Sequence, residues 1–297
     1  MFDSASILQF LLSGATSGCA YALVALAIVQ AANVSGVINL AQGEYVAVGG
    51  LVFASLAALG MPIVVCCIAA ASIGVVLGAI QERLTVEPAR ESAAFVQITV
   101  SLGVAVVIRG TAYLVYGKDP VQAPGFSGDN VFFAFGAILP LQALWVWAGT
   151  AVLLALVFGL LSFTMLGRAI RACSINRRAA QLVGVNPRAM TLAVFMATGA
   201  LSAIGGALIA PLTLASWDAG VTIGLKGLIA AIFGNFRSPV RAVAAGLAIG
   251  IAEAMIAGFG SSAAKDVVLY SLLLASLLIL GGVFARGRDS LRLGSSY

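Results

Sequence analysis

Apolar runs long enough to cross a lipid bilayer recur from one end of this chain to the other, and that pattern leaves it almost no soluble fold. At 1.5 Å rise per residue, a helix needs about 20 apolar residues to cover a hydrocarbon core about 30 Å thick. Candidate spans fall at roughly 7–30, 43–60, 62–80, 94–116, 138–162, 189–210, 241–258 and 266–285. A shorter run at 223–236 reads as a ninth, broken or tilted segment. Charged residues make up only 9% of the 297, against 61% hydrophobic, so in water the surface would be one large apolar patch. The expected fold is all-α: a polytopic transmembrane bundle of eight or nine segments, forming one domain over 1–297.

The polar stretches orient the spans. Residues 81–93 carry Arg83 and Arg90, residues 166–188 carry Arg168, Arg171, Arg177, Arg178 and Arg188, and the tail after 285 carries Arg286, Arg288 and Arg292. Cytoplasmic loops collect Lys and Arg, which puts these three inside and the poorer loops 117–137 and 211–222 outside. For this to close, 223–236 must cross, and the N-terminus lies outside. The net charge of +5 is explained by these loops. Its cations are scattered between apolar runs, which argues against a nucleic-acid partner. Met1 to Ser6 has no basic region, so the first run is expected to stay as a helix and not be cleaved. Cys19, Cys66, Cys67 and Cys173 form no CxxC pair, and the absence of His excludes His-based metal sites and general bases.

No phosphate-binding G-x-x-x-x-G-K-[ST] loop is present, so ATP coupling would have to come from a second protein touching a cytoplasmic surface. The candidate surface is Leu166–Arg188. Within it Ile175, Ala179, Leu182 and Val183 share one face of a short helix, with Arg177, Arg178 and Gln181 off that face. Small Ala179 and Ala180 would allow a partner close approach. Gly184 suits the helix end, with Asn186 and Pro187 as cap and first residue of the next span. The alternative is a basic loop on the membrane surface with no partner.

Ionisable groups inside a bilayer usually face a partner or a wet cavity. Arg109 and Glu253 fall at matching depths in outer halves of their spans, so they are expected to pair or to line the outer solute path, unless Arg109 snorkels to the headgroups. Asn39, Gln42 and Glu44 mark a polar break. It reads either as a re-entrant turn near a translocation path or as a cytoplasmic hairpin with Glu44 in the first helical turn. Lys226 and Asp218, flanking 211–222, read as interfacial anchors. Gly246-x-x-x-Gly250 has the spacing of a close helix contact, and the stretches Gly36–Gly50 and Gly234–Gly250 share a faint likeness of the inverted-repeat kind. A self-powered secondary transporter would need an ion site, for which Glu253 is the candidate. An intramembrane enzyme lacks any convincing catalytic set.

Three blocks carry a family resemblance. Ala179-Ala180 followed by Gly184 resembles the EAA-type coupling loop of ABC importer permeases, with Arg178 in place of its acidic residue. Gly36-Val37-Ile38-Asn39-Leu40-Ala41-Gln42-Gly43-Glu44, Gly167-Arg168-Ala169 through Gly184-Val185-Asn186, and Gly224-Leu225-Lys226-Gly227 onward to Gly250 and Glu253 are similar, in the same order along the chain, to the LivH-like branched-chain amino acid permeases. The resemblance implies ATPase coupling through Arg178, Ala179, Ala180, Gly184 and Val185. It implies a related second permease chain, two ATPase subunits that consume the ATP, and an extracytoplasmic solute-binding protein, with no cofactor on this chain. Asn39, Gln42, Glu44, Arg109 and Glu253 are the candidate path residues. Urea and short-amide importers use the same kind of subunit, so the solute stays open between these and amino acids. Gln42 stands where many relatives have His and Arg109 where amides are usual. Asn235-Phe236-Arg237 replaces a Gly-x-Gly stretch, so a looser or differently placed turn is expected there.

Overall fold

The computed structural model describes residues 4–134, 136–260, 265, 267–268, 270–272 and 274–275. Its elements in chain order are α1 (Ser4–Ser35), α2 (Gln42–Ala58), α3 (Ile63–Gln81), a π-helical turn (Glu82–Val86), α4 (Ala94–Tyr116), β1 (Phe126–Asp129), β2 (Val131–Ala134), β3 (Ala137–Pro140), α5 (Leu141–Phe163), α6 (Met165–Ile175), α7 (Arg177–Leu182), α8 (Pro187–Ile209), α9 (Ala219–Phe233) and α10 (Pro239–Phe259).

Among the described residues six helices are long and apolar enough to cross a membrane: α1, α3 with its π turn, α4, α5, α8 and α10. Helices α2 and α9, at 17 and 15 residues, are shorter than a full span. The expected segment at 266–285 lies largely outside the described residues. Among the described residues, the expected eight or nine segments are represented by six full-length spans and the two shorter helices α2 and α9.

Helix α1 forms the centre. It has no charged side chain, and residues 18–31 are buried on every face, as an all-round apolar helix requires. Association in lipid rests on packing, so small residues mark the tight seams. Gly14 and Gly18 of α1 meet the backbone of Gly250 and Leu247 on α10, and Gly74 and Gly78 of α3 meet Gly199 and Phe195 on α8. These seams are related by exchanging α1-α2-α3 with α8-α9-α10. Under that exchange the α1/α10 contact becomes α8/α3, α2/α8 becomes α9/α1, and α2/α3 becomes α9/α10, all of which occur. The repeat thus matches Gln42–Ala58 with Ala219–Phe233. The likeness between 36–50 and 234–250 was read from glycine content alone and had the wrong partner.

The two ends of the bundle are distinct. At one end Gln9 of α1 exchanges hydrogen bonds with Ile138, Val121 pairs with Ala215, and Phe10 stacks on Phe259. The N-terminal end of α1 therefore shares a face with 117–140 and 211–218, the loops expected outside. At the other end Arg177 reaches Val34 and Arg188 pairs with Glu87, which brings together the Arg-rich loops expected inside. The stretch 138–140, assigned from sequence to the start of a span, instead belongs to β3, which pairs with β2 in antiparallel register, Val131 opposite Pro140 and Ala134 opposite Ala137. Pro140 then caps α5.

The turn after α9 keeps its tightness without glycine. Asn235 and Phe236 both take positive φ, at 54° and 49°. Phe236 N–H donates to Ala231 O and Asn235 N–H to Ile232 O, the bond pair of a Schellman end. Phe236 packs against the core cluster that includes Ile229 and Ala242, and that packing holds a conformation unfavourable for a bulky residue.

Candidate functional site

The polar break between α1 and α2 is internal. Asn39, Gln42 and Glu44 are 2%, 0% and 2% exposed. Gln42 Nε2 donates to the carbonyl of Thr198, midway along α8, and to Ser202 Oγ, at 2.7 and 2.9 Å. Helix α2 therefore starts deep in the bundle, which is the re-entrant arrangement; a cytoplasmic hairpin does not fit. Irregular backbone at such depth must be satisfied by protein. Asn39 does much of this, with Oδ1 accepting from Ala41 N–H and its amide exchanging two hydrogen bonds with Gln81 at 2.9 and 2.8 Å. Tyr45 OH also donates to Gln81 Oε1, and Ser101 contacts the backbone of Leu40 and Ile38. Sequence reasoning missed Gln81, Tyr45 and Ser202. Gln81 was visible only as an amide closing an apolar run.

The first turn of α2 crosses the first turn of α9. Gly43 sits against Gly220 and Gly224, so close that a methyl at Gly43 would overlap the Gly220 carbonyl. Glu44 lies at this crossing. Its Oε1 accepts from Arg109 Nη2 at 2.6 Å and Nε at 3.2 Å, while Oε2 is buried without a hydrogen-bond partner, over Gly220. A negative charge there is favoured by the N-terminal dipole of α9, whose cap residue Asp218 makes no side-chain capping bond.

Arg109 thus pairs with Glu44, and the expected pairing with Glu253 is wrong. Glu253 instead accepts from Lys226 Nζ at 2.5 Å and Tyr21 OH at 2.7 Å, with Lys265 at 3.5 Å. Lys226 is 3% exposed and sits in the middle of α9, so it is no interfacial anchor. The misreading arose because α9 begins at Ala219, inside the bundle and about one turn before the loop boundary suggested, which carries Lys226 to the middle of the helix.

At the opposite end, α6 and α7 form the Arg-rich loop expected inside. Each start is capped: Thr164 Oγ1 accepts from Gly167 N–H, and Asn176 Oδ1 from Ala179 N–H. Gly184, at φ 83°, ends α7 with Val185 N–H on Ala180 O and its own N–H on Gln181 O. Asn186 then caps α8, with Pro187 at its first position. Ile175, Leu182 and Val183 are exposed at 86%, 89% and 77%, and Arg178, Ala179 and Gly184 are also exposed. Ala180 is 2% exposed and faces the bundle, so it offers nothing to a partner; its small size serves the chain's own packing. Arg177 also turns inward. Its guanidinium donates to Val34 O at the end of α1, and to Pro187 O and Thr191 Oγ1 at the start of α8. Burial and the Arg90 guanidinium lower its pKa from the usual arginine value, opposed by Glu87, Cys173 and Glu82.

The family described as branched-chain amino acid transport system, permease component, matches residues 10–277. The chain is 29% identical to the LivH high-affinity branched-chain amino acid transport system permease protein of Salmonella typhimurium, over 92% of this chain and 93% of that protein. It is 28% identical to the BraD permease of Pseudomonas aeruginosa, over 91% and 93%. To the ribose import permease protein RbsC of Haemophilus influenzae it is 27% identical, over 82% and 74%. A bundle with six bilayer-length apolar helices and a family match spanning nearly all of it is a multi-pass transport protein of the inner membrane, and the chain belongs to the branched-chain amino acid permease family.

Proposed function

We propose that this chain is one membrane half of an ATP-driven importer carrying branched-chain amino acids into the cytoplasm. Its motor is a pair of separate ATPase subunits. A related second permease chain completes the pathway, and an external binding protein delivers the solute. The relatives matched over more than nine-tenths of the chain are branched-chain amino acid permeases, which favours that solute class over urea or short amides. The observation that carries the reading is the cytoplasmic lever. Helix α7 turns Ala179, Leu182 and the neighbouring Val183 to solvent, while Arg177 at its start clasps the ends of α1 and α8. An apolar knob on a soluble face invites a groove on a partner. A push on that knob would reach the central helix α1 directly.

The test is co-purification of the ATPase subunits with the permease. Wild type is compared with Leu182→Asp and Ala179→Asp, both outward positions whose change leaves the bundle packing alone. The expected result is loss of ATPase from the variants while the permease stays folded and in the membrane. Equal retention in all three would remove α7 as the docking element.

A further inference from the structure

Arg109 differs from every other ionisable group set deep in the bundle. Glu44, Lys226 and Glu253 have side chains 3%, 4% and 9% exposed, whereas that of Arg109 is 29% exposed. Two of its three guanidinium nitrogens are spent on Glu44 Oε1, and Nη1 has no bond among the described residues. On α4 the buried positions are Ser101, Ala105, Ile108 and Ala112. One flank of that stripe, through Val104, Val107, Thr111 and Val115, lines an apolar cleft of about 620 Å³ against α3. Arg109 lies on the other flank, with Tyr113, whose ring packs against Trp217 ahead of α9. The guanidinium therefore lies on the side of α4 that meets Glu44 and carries Tyr113, away from the apolar cleft. Exposed charge deep in a bundle marks a wet pathway and not a lipid face.

We infer that Arg109 is the contact point for the carboxylate of the transported solute, and that Glu44 is a positioning residue that holds the guanidinium with its remaining donors outward. A planar fork already oriented by one carboxylate is suited to a second, and binds it at lower entropic cost than a free lysine would. Glu44 is fixed in turn by its burial and by the α9 N-terminus, so the fork cannot collapse inward. The ligand class is a zwitterionic amino acid, which offers a carboxylate that urea and neutral amides lack. The inference rests on the importer reading above.

Removing Arg109 alone would strand a buried Glu44, so the test is a double replacement. The complete transport assembly is reconstituted in vesicles, and ATP-dependent uptake of labelled leucine is measured for wild type, Glu44→Gln, and Arg109→Gln with Glu44→Gln. ATPase retention and thermal stability are read in parallel. Glu44→Gln keeps the cation but releases the fork, so uptake should fall, though by less than in the double variant. The neutral double variant should assemble and unfold like wild type yet lose uptake about tenfold or more, the scale of one charge-assisted hydrogen bond. Wild-type uptake by the double variant would show the pair to be structural only and overturn the inference. No ATP-dependent uptake by wild type would instead sink the importer reading beneath it.

Discussion

Lys226 Nζ sits 2.5 Å from Glu253 Oε1, joining the middle of α9 to α10 with both side chains at least nine-tenths buried. Breaking a buried pair by removing one partner strands the other charge, typically at about 3–5 kcal/mol, whereas replacing both is close to neutral. Lys226→Met should fall at the low end, about 3 kcal/mol, because Lys265 also lies 3.5 Å from that oxygen. Adding Glu253→Gln should recover most of the loss, since Tyr21 can still donate to the amide oxygen. Unfolding of the purified permease in detergent measures both. A double variant no better than the single one would mean that the ion pair is not the element at stake.

The glycines of the seams make a sharper contrast. A methyl at Gly206 of α8 would overlap the carbonyl oxygen of Val46 on α2, a backbone atom that cannot rotate aside. Gly159 on α5 has open space around it. Gly206→Ala should therefore cost about 1–3 kcal/mol of stability, as overpacking does. Gly159→Ala should be neutral or gain up to about 1 kcal/mol from helix propensity. Melting temperatures of the two variants should move in opposite directions or differ by several degrees.

Span positions and the caps of the Arg-rich loop were legible because they depend on local rules. Run length gives the helices, and Gly184, Asn186 and Pro187 announce where α7 stops and α8 starts; the break at Asn176, which puts Ile175 at the end of α6 and off α7, was not announced. Pairing within the bundle was not legible. Arg109 and Glu253 matched in depth, yet depth says nothing about which helices touch, and the partner of each came from α2 and α9, the two helices too short to be ordinary spans. Ala179 and Ala180 look alike in sequence. Only the position of α7 on the bundle decides that one faces outward and the other inward. Arg177 was grouped with Arg178 and Gln181 off the apolar face, although it is the residue that anchors the helix.

Asn39 and Gln81 predict the behaviour of the break before α2. Their amides exchange two hydrogen bonds in an environment closed to water, so truncating one leaves donors and acceptors of the other buried and unpaired. Asn39→Ala also removes the acceptor for Ala41 N–H, and should destabilise by about 1–3 kcal/mol for each group left unsatisfied. Gln81→Ala should cost less, since Asn39 keeps its bond to Gln42. The order of the two melting temperatures checks the claim, and Gln81→Ala melting below Asn39→Ala would contradict it.

Arg177 separates docking from transmission. Its guanidinium is the direct polar link from α7 to the last turn of α1 and the first turn of α8, while its backbone leaves the outward face of α7 untouched. Arg177→Met keeps most of the apolar stem and its packing but severs those three bonds. The ATPases should still co-purify, because Ala179 and Leu182 remain presented. Uptake per ATP hydrolysed should fall by about two- to thirtyfold, the range that a coupling loss of about 0.5–2 kcal/mol produces. Leu182→Asp should give the opposite pattern, with the ATPase lost and nothing left to couple. If Arg177→Met instead released the ATPase while Leu182→Asp held it, the contact surface would lie on the inward side of α7, and the lever would have to be rebuilt around Ala180.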